Sequence, residues 1–144
     1  MSLFLILLAA GEGKRLKSNT PKPFNKVNNL TILEHSLNSF KNFKEIKKTI
    51  IVYNKKHKKY LNKIKLTNIL KITGGKTRKE SVFKALKKIN KMNCKKVLIH
   101  DSARPNPSKK LINKIIQKLK KDQAVIPVLE INDAAKIGKK NIII

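Results

Sequence analysis

Short runs of apolar and β-branched residues recur at positions 3–9, 49–53, 69–73, 97–100 and 124–128, and the stretches between them carry helical periodicity. Runs of this length are the size of buried strands, and their β-branched content separates them from helix segments. Thr31 followed by Glu34 is a capping-box signal, opening a helix with Ile32, Leu33, Ser36, Leu37 and Phe40 on one face. Val82, Phe83, Leu86 and Ile89 predict a second apolar face; Leu111, Ile112, Ile115, Ile116 and Leu119, entered through Ser108, predict a third. Strand and helix in alternation specify an α/β fold, a mainly parallel twisted sheet with helices on both faces. At 144 residues, with no internal repeat or linker, the chain reads as one domain, 1–144, able to bury a core. The closing run Ile142, Ile143, Ile144 requires a partner strand or further chain.

In such a sheet ligands bind outside the carboxyl ends of the strands, so the loops after predicted strands are where chemistry is sought. The chain contains 32 Lys but only 3 Arg, and each Arg stands in such a loop: Arg15 in G-E-G-K-R, Arg78 in G-G-K-T-R-K-E-S-V, Arg104 in H-D-S-A-R-P. In a chain that uses Lys almost by default, an Arg points to a need for a planar, multi-donor guanidinium. In the first loop Gly11 and Gly13 allow the backbone close to an anion and tolerate positive φ, while Lys14, Arg15 and Lys22 bring cations to the same place. The pattern is neither a Walker loop nor a three-glycine dinucleotide fingerprint, but it suits a nucleoside triphosphate. Gly75, Arg78 and Ser81 lie where a strand turns into a helix whose first N–H groups are free for polar ligand atoms. Asp101, closing a strand three residues before Arg104, is placed to hold both a Mg²⁺-triphosphate and an anionic second substrate; an Asp–Arg pair that merely fixes a loop is the plainer reading. Asp133 and Lys136 are weaker candidates, readable as surface charges.

The formal charge of +27 would ordinarily raise nucleic-acid binding. Lys, Ile (19) and Asn (15) are together so abundant that AT-rich codon usage accounts for much of the charge, and the 2 Tyr and 5 Phe do not interleave with Lys as a stacking platform requires. No specific nucleic-acid partner is expected. The single Cys94 has no partner for an intrachain disulfide or a zinc site, and His35, His57 and His100 lack metal-ligand spacing, so no protein-built metal centre and a reducing cytoplasm are expected. Residues 3–10 are too short to span a bilayer and follow no basic region, so neither a signal peptide nor a membrane anchor is expected.

The motifs L-A-A-G-x-G-x-R with a following P-K, G-G-x-x-R-x-x-S-V and H-D-x-A-R-P, in this order and spacing, resemble those of the 2-C-methyl-D-erythritol 4-phosphate cytidylyltransferases of non-mevalonate isoprenoid biosynthesis, across residues 7–136. The first motif is shared with many sugar-phosphate nucleotidyltransferases; the three together are also found in ribitol-5-phosphate cytidylyltransferase. The resemblance implies a Rossmann-like nucleotidyltransferase fold, CTP and a small polyol phosphate as substrates, and Mg²⁺ bound mainly through the CTP phosphates. It implies that Ala9, Ala10, Gly11, Gly13 and Lys14 wrap the nucleotide, that Gly75 and Ser81 lie at the cytosine with Arg78 beside them, and that Asp101 lies by the ribose. Arg15 and Lys22 would stabilise the transition state, with Arg104, Asp133 and Lys136 toward the methylerythritol phosphate. Two departures stand out: Ala134 replaces a phosphate-binding Thr of the family, and the family continues beyond residue 144 with further substrate-positioning groups and a dimer arm. On that reading the isolated chain is expected to turn over poorly, with a homodimer only in a longer form. The other readings open at this stage are the ribitol-5-phosphate enzyme, a nonenzymatic nucleotide-binding remnant and a nucleic-acid-binding module.

Overall fold

The structure, a computed structural model, describes residues 2–11 and 20–130 together with the backbone of 138–139 and 142–143. Four parallel strands form the central sheet: β1 (Leu3–Ala9), β4 (Ile46–Tyr53), β5 (Ile69–Thr73) and β6 (Lys96–Asp101), in the order β5-β4-β1-β6. A short antiparallel hairpin, β2 (Lys26–Val27) and β3 (Leu30–Thr31), precedes helix α1 (Ile32–Phe40). Helices α2 (Lys58–Leu61), α3 (Arg78–Ile89) and α4 (Lys109–Leu119) fill the later connections, and β7 (Gly138–Lys139) pairs antiparallel with β8 (Ile142–Ile143). The closing isoleucine run thus meets a partner strand, at residues 142–143, within the chain itself.

β1 lies between β4 and β6 and is covered on both faces, which is why its sequence is continuously apolar. Leu3, Leu5, Leu7 and Ala9 point to one side, where they join Leu33 and Phe40 of α1 and Ile112, Ile116 and Leu119 of α4. Phe4 and Ile6 point to the other, against Ala85 and Ile89 of α3. The expected helices on both faces are therefore present. The chain runs from β1 outward to β4 and β5, then returns past β1 to β6; this reversal opens a crevice between the carboxyl ends of β1 and β6.

Local signals account for the helix starts. Thr31 Oγ1 accepts the Glu34 N–H at 3.2 Å while the Glu34 carboxylate accepts the Thr31 N–H at 2.7 Å, completing the expected capping box, an arrangement worth about 1 kcal/mol. Ser108 caps α4 by accepting the Leu111 N–H. The hairpin turns through Asn28 and Asn29, at φ of 48° and 66°, a left-handed pair that Asn tolerates better than most residues.

Two expectations fail. Residues 124–130 form no strand, and Ile126, Val128 and Leu129 are 81–92% exposed. A strand needs a partner ladder, no described strand pairs with this segment, and Pro127 removes one donor from it. The face of α3 is only in part the one periodicity selected: Ile89 is buried and Val82 half-buried as expected, but Phe83 is 64% exposed and Leu86 is exposed, and Ser81 and Ala85 face the sheet in their place. Small side chains at 81 and 85 let the helix start close to the sheet, and that closeness, not apolarity, selects the face.

Candidate functional site

The sheet register places Ala9 beside Tyr53, Tyr53 beside Thr73, and Leu8 beside Asp101, so all four strands end at one level. A cleft of about 1120 Å³ opens above that edge. Into it the structure brings Ala10, Gly11, Lys22, Gly75, Arg78, Ser81, Asp101 and Arg104 from the connections that follow β1, β5 and β6. Ala9 is fully buried, with its methyl in the core below. Gly13, Lys14, Arg15, Asp133 and Lys136 lie outside the described residues.

Each cleft residue has a local cause. Pro21-Lys22-Pro23-Phe24 forms a single 3₁₀ turn, closed by the Phe24 N–H donating to Pro21 O at 2.8 Å. Phe24 is 5% exposed and stacks on Tyr60 at 5.6 Å, so the turn is anchored from below and the two prolines stiffen its backbone. Lys22 is thereby held at the cleft wall by a rigid support.

At the end of β5, the Gly74 N–H donates to Tyr53 O at 2.8 Å, continuing the sheet by one residue. A Cβ on Gly74 would stand 2.7 Å from Ala10 Cβ and 2.8 Å from Ser81 Oγ, and one on Gly75 would strike the Glu80 side chain. Gly74 is required by the close approach of the first loop and the start of α3, and Gly75 by the packing of its own turn against Glu80. Gly11 differs: among the described residues a Cβ there meets nothing within 4 Å, so none of them demands glycine. Thr77 caps α3 by accepting the Glu80 N–H, and Glu80 in turn accepts the Lys76 N–H at 2.8 Å. Ser81, 3% exposed, accepts the Gly75 N–H at 3.1 Å, which ties the glycine turn to the helix.

Asp101 is the electrostatic centre of the cleft. Arg78 Nε lies 3.1 Å from Oδ1 and Arg104 Nε 3.7 Å from Oδ2, so two of the chain's three Arg converge on one carboxylate. The arginine side chains are 64% and 80% exposed, and ion pairs this open stabilise a fold by little, about 0–1 kcal/mol. Their value lies in orientation: a guanidinium held through Nε still carries the N–H groups of both Nη atoms for an anionic ligand. Arg78 and Arg104 thus have an observed common partner in Asp101 as well as access to the cleft.

The sequence reading missed Asn54, Lys55, Thr73, Thr77 and Lys84, which also line the cleft. Asn54 and Lys55 follow β4 and fall under the same strand-end rule as the Arg loops, although no Arg marks them. Lys84 stands one helical turn beyond Ser81, and its Nζ donates to Gly74 O at 3.1 Å. Among the described residues no group of three or more His, Cys, Asp or Glu is arranged to hold a metal ion, and no helix is long and apolar enough to cross a membrane. Cys94 is half-buried and does not line the cleft, and burial pushes its thiol pKa up, which disfavours the thiolate.

Against known proteins, the family described as 2-C-methyl-D-erythritol 4-phosphate cytidylyltransferase (IspD) matches residues 3–144. A bifunctional enzyme IspD/IspF from Pelagibacter ubique is 47% identical over 136 residues, covering 94% of this chain and 37% of that protein. The 2-C-methyl-D-erythritol 4-phosphate cytidylyltransferase of Clostridioides difficile is 33% identical over 138 residues, covering 92% of this chain and 58% of its own length. Among solved structures, the 4-diphosphocytidyl-2C-methyl-D-erythritol synthase of Anaerococcus prevotii aligns with a TM-score of 0.78 at 32% identity, over 96% of this chain and 60% of that one. The bifunctional IspDF of Campylobacter jejuni aligns with a TM-score of 0.83 at 28% identity, over 100% of this chain and 37% of that one. The chain spans less than two thirds of the length of each of these relatives.

Proposed function

Because the chain belongs to the 2-C-methyl-D-erythritol 4-phosphate cytidylyltransferase family, we propose that its cleft binds CTP and transfers the cytidylyl group to 2-C-methyl-D-erythritol 4-phosphate, releasing pyrophosphate. The observation that carries this reading is the convergence of Arg78 and Arg104 on Asp101 in a cleft that also presents Lys22, Gly11, Gly75 and Ser81. A phosphate oxygen of the acceptor forms the new bond to the α-phosphorus of CTP as the bond from that phosphorus to the β-phosphate bridging oxygen breaks. No protein nucleophile is needed; the task is alignment and offsetting of negative charge.

Lys22 supplies a cation at the cleft wall for the charge that builds on the α-phosphate, with Arg15 as its proposed companion. Ser81 and Gly75 form the proposed cytosine wall and Asp101 the ribose contact. Arg104, with Asp133 and Lys136, is assigned to the acceptor phosphate. Glu80 is engaged with its own helix start and Asp101 with Arg78 and Arg104, so a Mg²⁺ ion would be carried mainly by the triphosphate, with Asp101 the cleft carboxylate at the strand end nearest to it on this reading. Such an ion supplies Lewis-acid neutralisation of the phosphates when bound.

A pyrophosphate-release assay tests the proposal. Release is expected to require CTP and 2-C-methyl-D-erythritol 4-phosphate together. Release with ribitol 5-phosphate in its place would reassign the acceptor, and CTP binding without release on either acceptor would contradict the transfer reaction.

A further inference from the structure

Helix α1 contains two hydroxyls that its apolar face does not explain. Ser36 sits in the middle of the buried stripe, is 0% exposed, and donates to Ser102 O at 2.7 Å. Ser39, one turn on, donates to Pro105 O at 2.7 Å, with its own His35 O more distant at 3.2 Å. Both acceptors belong to the loop that carries Asp101 and Arg104. The same loop is fastened from two other directions: Ser102 Oγ and the Ser102 N–H both donate to Leu8 O, at 2.8 and 3.0 Å, and His100 Nε2 donates to Arg104 O at 2.7 Å. The His100 ring in turn meets Phe40 of α1 edge-on at 5.1 Å.

We propose that Ser36 and Ser39 are positioning residues of the nucleotide site, which act by fixing the 102–105 loop so that Asp101 and Arg104 stand ready in the cleft. The inference rests on the nucleotide reading above. A loop between a strand and a helix ordinarily samples several arrangements, and a ligand that must order it binds more weakly. Hydroxyl donors aimed at the Ser102 and Pro105 carbonyls from a capped, well-packed helix remove that freedom before the ligand arrives. Ser36 contributes little else: an apolar residue would fill the core position more favourably, and its hydroxyl is tolerated because the Ser102 carbonyl accepts it.

Native-state hydrogen exchange and CTP calorimetry on the Ser36→Ala/Ser39→Ala protein test this. The Ser102 and Arg104 amides, which donate to Leu8 O and Asp101 O, are expected to exchange ~10-fold faster or more, while the Leu5 and Ile51 amides keep their rates. CTP affinity is expected to fall ~10-fold, to be preserved in Ser39→Thr relative to Ser39→Ala, and to show no further loss when the serines are replaced in an Asp101→Asn background. Unchanged exchange at Ser102 and Arg104, or a uniform acceleration that includes the β1 and β4 amides, would overturn the proposal, the second by showing that the hydroxyls support the fold as a whole. Full CTP affinity in the double variant would overturn it equally. Failure of the parent protein to bind CTP would defeat the nucleotide reading by itself, and the exchange pattern would still decide whether the serines order the loop.

Discussion

Replacing Lys22 by alanine is expected to lower cytidylyl transfer by ~10²-fold or more while weakening CTP binding much less. The asymmetry follows from where charge changes. On the proposed reading the ground-state triphosphate has other cations near it along the cleft, including Lys55, Arg78 and Lys84. Charge that builds on the α-phosphate during transfer needs a cation at one place, and the Pro21–Phe24 turn holds Lys22 on a support too stiff for a neighbouring lysine to replace it. The fold should be indifferent to the change, because the anchoring ring is that of Phe24 and Lys22 is only partly covered. Steady-state kinetics and calorimetry on one preparation separate the two effects. An affinity loss as large as the rate loss would make Lys22 an ordinary phosphate-binding residue, and wild-type turnover would remove it from the chemistry.

Gly74→Ala is expected to destabilise the protein by about 1–3 kcal/mol, the usual cost of overfilling a tight contact, and to lower CTP affinity as well. The added methyl would lie 2.7 Å from Ala10 Cβ and 2.8 Å from Ser81 Oγ, so it must separate the first loop from the start of α3. That separation also strains the bond from the Gly75 N–H to Ser81 Oγ. Gly11→Ala provides the contrast, since its methyl meets none of the described residues within 4 Å and stability should hold within about 0.5 kcal/mol. Urea unfolding of the two variants checks both statements. A Gly74→Ala protein as stable as its parent would show that the loops can part at no cost.

The strands at β1, β4, β5 and β6 were legible because each is a compact apolar run bounded by turn residues, and their common direction follows from the helical stretches between them. The site was legible for a related reason. Once the sheet is parallel, every strand ends on the same edge, and Arg78, Asp101, Arg104 and Lys22 need no further information to be brought together. What stayed hidden depends on partners. Residues 124–128 have strand composition, but a ladder requires a neighbour, which periodicity does not name. Phe83 has core composition, yet α3 turns Ser81 and Ala85 to the sheet because the glycine turn beneath them leaves room only for small groups. Ser36 reads as one more member of an apolar stripe until the carbonyl of Ser102, 66 residues away, is seen to accept its proton. The family assignment was legible from three short motifs, since spacing within a loop encodes ligand geometry that composition does not.

Titration of the chain with CTP, ATP and GTP, each with Mg²⁺, tests the central claim most directly, because the site is read as recognising a cytosine nucleotide before any transfer occurs. CTP is expected to bind at least ~10-fold more tightly than either purine nucleotide, since a site proposed to fit a pyrimidine leaves hydrogen bonds unmade to a purine of different size and edge pattern. Equal affinity for all three, or no detectable CTP binding, would contradict it.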